Sequence, residues 1–150
     1  MDLSGTIRKI LRELQNLIEA KEMTIEVTKM NENADDKDAF IVQAEELLCH
    51  SMFANLIKNA IEAAPESSRI SVSFERGDTP RVCIHNSGAV PENIRDRFFE
   101  KYATSEKEGG TGLGTYSARV IAETMGGRIA LDTSDENGTA ITVHFALNPA

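Results

Sequence analysis

A stripe of polar side chains on the most strongly helical segment of the chain is the first place where chemistry is possible. Apolar residues have helical spacing from Glu45 to Ala64, and Pro65 ends the helix. The polar residues of this segment fall in one arc roughly 100° wide on a helical wheel: Ser51, Asn55, Lys58, Asn59 and Glu62. A solvent-facing strip more readily holds Glu, Lys or Gln, because asparagine is a poor residue for a helix interior. Asn55 and Asn59, one turn apart, present neutral oxygens and amides that suit a hard cation and phosphates.

A glycine-rich segment that leads directly into a later helix is a candidate phosphate-binding loop. It reads Gly109-Gly-Thr-Gly-Leu-Gly114, and helical spacing begins near Thr115. Gly110, Gly112 and Gly114 would let backbone N–H groups approach an anion where the helix dipole favours negative charge. It is neither a Walker A loop, because no GK[ST] follows, nor a dinucleotide fingerprint, because GxGxG replaces GxGxxG. The alternative is a flexible link.

A third candidate lies where a strand ends in a polar turn. Val82-Cys-Ile-His-Asn-Ser-Gly88 passes from apolar alternation to turn residues. Gly88 would allow a ligand to approach the backbone closely. The carboxamide of Asn86 could accept a hydrogen bond from an exocyclic amine, the bond by which adenine is usually distinguished. The alternative is a plain turn.

Composition and charge exclude several classes of function. The chain has 150 residues, the size of one ordinary domain, and can bury about 70% of its unfolded surface. Sixteen Lys and Arg against 24 Asp and Glu give a net charge of −8. This balance provides no diffuse positive field, so nucleic acid and anionic membranes are not expected partners. A hydrophobic fraction of 41% is typical of a globular chain.

The cysteines and the hydropathy of the chain indicate its compartment. Cys49 and Cys83 lie in apolar stretches without the spacing of a disulfide framework or a zinc site, which favours reducing cytoplasm. No apolar run approaches the ~18 residues of a membrane span. We therefore expect this domain to be cytoplasmic and without direct membrane contact, although a larger parent protein could be membrane-anchored.

The elements that must position the candidate residues alternate in a way typical of an α+β sandwich. Helices are predicted over 4–20, 45–64, 91–99 and 115–125, and strands over 24–28, 69–75, 81–85, 128–133 and 139–147. We expect one sheet with the helices on one face. The first helix could pack on the sheet or extend from a missing helix that precedes it, and His50 is predicted to be a core residue.

Four segments, in order and spacing, resemble the GHKL nucleotide-binding family, specifically the catalytic ATP-binding domain of sensor histidine kinases. The segments similar to its N box, first glycine box, F box and second glycine box with the following helix are Asn55-Leu-Ile-Lys-Asn-Ala-Ile-Glu-Ala63, His85-Asn-Ser-Gly88, Phe98-Phe-Glu-Lys-Tyr102, and Gly110-Thr-Gly-Leu-Gly114 with Ala118 to Gly127. The resemblance covers the chain from about Leu11 to Leu147. Each motif alone is common, but four in the correct order are specific.

The resemblance implies the Bergerat fold, a two-layer α+β sandwich with a mixed sheet, helices on one face and a flexible lid over ATP. It implies that Asn59 is the side-chain ligand of Mg²⁺ and that Asn55 contacts the metal or the phosphates. It matches Asn86 to an adenine-reading aspartate and Thr139 to a residue supporting that contact. The remaining positions that it assigns to ATP binding are Gly88, Gly110, Thr111, Gly112, Leu113 and Gly114, with Lys101 and Lys107 as lid cations.

The sequence departs from the family pattern in three respects. Asn86 stands where the family has aspartate, and the following turn is shorter, so that His85 could be the aligned residue instead. Glu62 stands where some relatives have a phosphate-contacting lysine, which predicts modest affinity for ATP. No segment resembles the helical box that bears the phosphoacceptor histidine. We therefore expect residues 1–150 to be a single catalytic domain of a larger or split kinase.

The function implied by the resemblance is that of a protein histidine kinase in two-component signal transduction. The domain would bind Mg-ATP and donate the γ-phosphoryl group to a histidine on a separate dimerisation and phosphoacceptor domain, with a response regulator downstream. Isolated, it should turn over slowly, because Asn55 replaces the glutamate with which GHKL hydrolases activate water. The alternatives are a GHKL serine kinase of the anti-sigma type, and a degenerate nucleotide-binding domain that acts as a docking surface.

Overall fold

The computed structural model describes residues 1–30, 40–77, 79–100 and 114–146. Within these ranges the chain forms helices α1 (Leu3–Glu13), α2 (Gln15–Ala20), α3 (Glu46–Ala63) and α4 (Gly114–Thr124), a 3₁₀ helix (Glu92–Arg97), and strands β1 (Thr24–Met30), β2 (Arg69–Arg76), β3 (Pro80–Asn86), β4 (Arg128–Ser134) and β5 (Gly138–His144). The predicted elements are present, but the first helix is divided at Leu14. Pro91, predicted to open the short helix, precedes its first residue.

The described strands form one mixed sheet of five strands in the order β1-β2-β3-β5-β4. β1 and β2 are parallel, with Thr24 opposite Arg69, and the other pairs are antiparallel. Parallel neighbours require a long crossover connection, and α3 lies in the connection between β1 and β2. The α+β architecture with a mixed sheet is therefore confirmed.

Helices cover one face of the sheet, and the hydrophobic core lies between the two layers. Alternate residues of the central strands are buried: Ile70, Val72, Phe74, Val82, Ile84, Ile141 and Val143. They meet the apolar side of α3, whose buried residues are Cys49, Met52, Phe53, Leu56, Ile57, Ala60 and Ile61. Burying a side chain of the size of Leu56 contributes about 1.5–3 kcal/mol, so this packing holds α3 firmly against the sheet.

The first helix packs against α3 rather than directly on the sheet. Leu3, Ile7 and Ile10 of α1 are at most 1% exposed. Asp2 caps the helix by accepting from Ser4 N–H, and it also accepts from Phe40 N–H at 2.9 Å. Burial opposes ionisation of Asp2, but these hydrogen bonds outweigh it and lower the pKa of the carboxyl group.

Three side chains outside the candidate site bear on the sequence predictions. The prediction that His50 is a core residue was wrong: its side chain is 29% exposed and its Nε2 lies 2.5 Å from Glu13 Oε1, because α1 runs alongside α3 at this point. Cys49 and Cys83 are both free, and burial raises the pKa of the Cys49 thiol to about 11. Among the helices within the described ranges, none is long and apolar enough to cross a bilayer.

Candidate functional site

Helix α3 contacts two glycine-bearing segments, one near its middle and one at its end. A Cβ atom placed on Gly114, the first residue of α4, would lie 3.9 Å from the Cβ and Cγ atoms of Asn55. A Cβ atom on Gly88, just after β3, would lie 2.5 Å from the carbonyl oxygen of Ala63. Only glycine fits this second contact. The helical rise from Asn55 to Ala63 is about 12 Å, which is the distance between the two ends of the candidate site along α3.

The polar arc of α3 divides into covered and exposed positions. Asn55 and Asn59 are half-buried, whereas Ser51, Lys58 and Glu62 are exposed. In the part of the chain that the structure describes, neither carboxamide makes a hydrogen bond. No described residue uses the donors and acceptors of these two amides, so among the described residues they are available to a ligand.

A row of polar side chains crosses three strands at the other end of the site. Asn86 of β3 stands opposite Thr139 of β5, and Thr139 stands opposite Thr133 of β4. Asn86 is 3% exposed and Thr139 is 4% exposed. The next row towards the core is apolar and consists of Ile84, Ile141 and Leu131. The helix-facing surface of the sheet thus changes from apolar to polar at the end where Gly88 follows β3.

The hydroxyl groups in this row form a hydrogen-bond chain with one direction. The Thr139 hydroxyl donates to the carbonyl oxygen of Gly88 at 2.7 Å, and the two threonine oxygens lie 2.9 Å apart. Because a hydroxyl has one hydrogen, Thr133 must donate to Thr139. Thr133 in turn accepts from Val90 N–H at 3.1 Å. The chain fixes the turn that follows Asn86 at both Gly88 and Val90.

The carboxamide of Asn86 has one orientation. Its Oδ1 accepts a hydrogen bond from Gly88 N–H at 2.7 Å, which forms a tight turn of the Asx type. A backbone N–H requires an acceptor, so the oxygen and not the nitrogen faces Gly88. The oxygen that the sequence predicts to accept from an exocyclic amine therefore already accepts one hydrogen bond and keeps a second lone pair.

His85, the other candidate for the base-reading position, points away from the helices. Its Nε2 lies 2.7 Å from the carbonyl oxygen of Asn137, in the turn between β4 and β5. Neighbouring residues of a strand point to opposite faces, so Asn86 is the residue of this pair that faces α3. Gly138, with a φ of +80°, lets β5 begin against the carbonyl oxygen of Asn86, where a Cβ atom would not fit.

Six of the residues predicted to bind ATP lie outside the described residues: Lys101, Lys107, Gly110, Thr111, Gly112 and Leu113. A hydrogen bond joins residues that flank this part of the chain: the Thr115 hydroxyl donates to the carbonyl oxygen of Phe98 at 2.9 Å. Phe98 and Thr115 are both buried. This contact brings the start of α4 next to Phe98, the first residue of the F box.

Sequence reasoning missed Thr133 and Thr115. Threonine is common in strands and at helix starts, so neither residue type is a signal by itself. Thr133 could have been found from the hairpin turn, because the register that pairs it with Thr139 follows from that turn. Thr115 contacts Phe98 across 17 positions of sequence, and no local pattern predicts that contact.

The side-chain oxygens of Asn55 and Asn59 suit a hard cation whose remaining ligands are oxygen atoms from water or a phosphate. Over the described ranges, no group of three or more His, Cys, Asp or Glu side chains could hold a metal ion. Amide oxygens suit Mg²⁺, which is usually bound through few protein ligands together with water and substrate phosphates. The residues present therefore fit magnesium delivered with a phosphorylated ligand.

Comparisons with known proteins identify the family. Residues 44–149 match the family described as histidine kinase-, DNA gyrase B-, and HSP90-like ATPase. Sporulation kinase A of Bacillus subtilis (strain 168) is 31% identical over 112 residues, which cover 73% of this chain and 18% of that protein. The sensor histidine kinase YkoH of the same organism is 26% identical over 97% of this chain and 31% of its own length.

The fold of this chain is also similar to that of solved histidine kinase domains. The catalytic domain of histidine kinase ThkA in a nucleotide-free form has a TM-score of 0.83 and 26% identity, covering 98% of this chain and 93% of that one. This chain spans about a fifth to a third of the length of the two curated relatives, so its similarity to them is that of one domain. The chain belongs to the family of histidine kinase-, DNA gyrase B- and HSP90-like ATPases.

Proposed function

We propose that the chain is the nucleotide-binding catalytic domain of a protein histidine kinase, which binds a magnesium-loaded nucleoside triphosphate. The observation that carries the proposal is the position of α3 between Gly114 and Gly88. This arrangement offers phosphate-binding groups at Asn55 and base-binding groups at Asn86, separated by a length of helix that an elongated ligand would span. The family to which the chain belongs, described as ATPases, makes ATP the first ligand to test.

At the phosphate end, Asn59 would hold Mg²⁺ and Asn55 would contact the metal or the phosphates. When bound, magnesium supplies the charge neutralisation that phosphoryl transfer requires. α4 begins at Gly114 beside Asn55, so the positive end of its dipole favours phosphate there. We assign Gly110, Thr111, Gly112 and Leu113 to the same phosphate contact, with Lys101 and Lys107 as nearby cations.

At the base end, Asn86, Gly88 and Thr139 would bind the purine. The support is the burial of Asn86 and Thr139, their place in one row of the sheet, and the hydrogen bonds that join both residues to Gly88. A rigid, partly desolvated end positions the ligand, and positioning is most of what a protein contributes to phosphoryl transfer.

The γ-phosphoryl group would pass to a histidine on a separate dimerisation and phosphoacceptor domain, and from there to a response regulator. The support is that relatives of this chain are named sensor histidine kinases. Asn55 has an amide where a water-activating base would be needed, and an amide does not accept a proton near neutral pH. The isolated domain therefore binds nucleotide and releases phosphate slowly. We place the domain in the cytoplasm, as one domain of a larger kinase.

The test of the phosphate end is titration calorimetry with ATP, with and without Mg²⁺, on the wild type and on Asn59→Ala. Loss of the metal ligand should weaken Mg-ATP binding by about tenfold or more, since a charge-assisted contact is lost. Lys58→Ala is the matched control, because Lys58 is its exposed neighbour on α3. Equal affinities of the wild type and Asn59→Ala would refute the metal assignment.

The test of the reaction uses labelled ATP and the purified dimerisation domain of the parent kinase. Transfer should give an acid-labile, base-stable product, as expected of phosphohistidine. An acid-stable product on a partner protein would instead identify a serine kinase of the anti-sigma type. Absence of ATP binding at millimolar concentration would favour the docking domain.

A further inference from the structure

We propose that the face of the sheet turned away from the helices carries an oxyanion site, formed by Arg81, His144 and Arg128, that takes a phosphate group. The site is separate from the one at Asn86. Arg81 lies five residues before Asn86 on β3, about 17 Å away at the usual rise of a strand, and on the opposite face. The proposal therefore does not depend on the ligand that binds beside α3.

The first step is that the three side chains are neighbours in one row of the sheet. Arg81 of β3 stands opposite His144 of β5, and His144 stands opposite Arg128 of β4. Residues directly opposite each other on antiparallel strands have their Cβ atoms about 4.5–5.5 Å apart on the same face. Val82 and Val143, their neighbours along the strands, are buried in the core, so the row points away from the helices.

The second step is that the positive charge of this row is only partly balanced. Glu75 of β2 stands opposite Arg81 and accepts a hydrogen bond from its Nε. Arg128 is exposed and makes no ion pair with any described residue. Two guanidinium groups thus share one carboxylate in this row. Neighbouring like charges destabilise a sheet, so an anion bound between the arginines would remove an unfavourable interaction.

The third step is that His144 lies within the field of both arginines. Burial lowers the pKa of His144, and the charges of Arg128 and Arg81 lower it further, whereas the Glu75 carboxylate raises it. The imidazole is therefore largely neutral at pH 7 and has one N–H to donate. An oxyanion beside it would oppose both positive charges and raise its pKa.

The fourth step is that the backbone under the row is fixed. Phe145 N–H donates to the carbonyl oxygen of Pro80 at 2.9 Å, which joins the residues next to His144 and Arg81. Gly127 packs so closely on the carbonyl oxygen of His144 that a Cβ atom would not fit there. The donors are thus held in place before a ligand arrives, which reduces the entropy lost on binding. Guanidinium groups match the oxygen atoms of a phosphate in charge and geometry.

The experiment is a nuclear magnetic resonance titration of the ring-labelled histidines with inorganic phosphate at constant ionic strength. His50 on α3 and His85 at the other end of β3 are internal references. We expect the His144 signal to move saturably at millimolar phosphate while the two references stay in place. Sulfate keeps its charge between pH 5 and 8, and at saturation it should raise the pKa of His144 by roughly 0.5 or more.

Arg128→Gln should weaken phosphate binding by about fivefold or more, because one charge-assisted contact is lost. Arg69→Gln is the matched control, because Arg69 is exposed on the same face at the other end of β2 and pairs with Glu26. Glycerol 3-phosphate in place of phosphate distinguishes the source: tighter binding would identify an organic phosphate, and weaker binding the free ion. Equal movement of all three histidine signals, or equal affinities of Arg128→Gln and the wild type, would overturn the proposal.

Discussion

Thr139 is the residue on which the geometry of the base end depends most directly. Its hydroxyl donates to Gly88 and accepts from Thr133, so it joins β4, β5 and the turn after β3. The threonine is 4% exposed, and water cannot readily replace either bond. One side chain thus holds together three segments that are separate in the sequence.

We predict that Thr139→Val destabilises the protein by about 1–3 kcal/mol, because the isosteric change leaves the carbonyl of Gly88 and the hydroxyl of Thr133, both in half-buried residues, without their partner. Urea unfolding measures this loss, and calorimetry should show weaker nucleotide binding as the turn loosens. Thr142→Val is the matched control: Thr142 lies on the opposite face of β5, and its side chain makes no hydrogen bond within the described ranges. Equal unfolding midpoints for the two variants would show that the hydroxyl chain does not stabilise the turn.

The residues of the site were partly accessible from sequence because their types are unusual for their elements. Two asparagines inside an apolar helix and a glycine directly after a strand are conspicuous without any coordinates. The orientation of Asn86 was not accessible, because it depends on whether Gly88 N–H turns back to it. The orientation of this carboxamide therefore came only from the structure.

At the scale of the elements, α3 is supported at its end by a residue from another part of the chain. Lys21, which follows α2, donates from Nζ to the carbonyl oxygens of Ile61, Glu62 and Ala64, at 2.8, 3.1 and 2.6 Å. These carbonyls belong to the last turn of α3 and to Ala64, the residue that follows it, where a helix has no partners of its own for them. The positive charge also complements the negative end of the helix dipole. Lys21 thus stabilises the turn of α3 against which Gly88 packs.

We predict that Lys21→Met lowers the free energy of unfolding by about 1–2 kcal/mol, because it keeps the length of the side chain but removes three hydrogen bonds and the charge. Compared with the wild type, the rate of backbone hydrogen exchange should increase most in the last turn of α3. The affinity for nucleotide should fall. Lys9→Met on the exposed side of α1 is the control and should change neither quantity. Unchanged exchange in α3 would mean that packing alone holds this end of the helix.

Sequence patterns identified the elements but not their arrangement. The extent of α3 followed from its apolar spacing and Pro65, and the hairpin of β4 and β5 followed from its Asn137-Gly138 turn. The break at Leu14 was not predicted, since apolar spacing continues across it. The parallel pairing of β1 with β2 was not predicted either, because a period of two residues indicates a strand without giving its neighbour or direction.

At the scale of the whole molecule, the protein and its proposed ligand carry charge of the same sign. The net charge of the chain is −8, and a magnesium-bound nucleoside triphosphate is also an anion. Long-range repulsion should therefore slow their encounter, while the contacts at Asn59 and at the start of α4 act only at short range. Salt screens the long-range repulsion more than it screens the short-range contacts, because the Debye length is about 10 Å at 0.1 M.

We predict that the association rate constant for Mg-ATP rises by about two- to fivefold between about 0.02 M and 0.2 M potassium glutamate, because screening removes the repulsion between like charges. Stopped-flow measurements with a fluorescent nucleotide test this, and the salt dependence has the opposite sign to that of a protein that binds nucleic acid through a positive surface. The uncharged nucleoside with the same fluorophore is the control, and its rate should not depend on salt. A rate constant for the triphosphate that falls with salt would mean that local cations govern the encounter, and Lys101 and Lys107 would then be the first residues to neutralise.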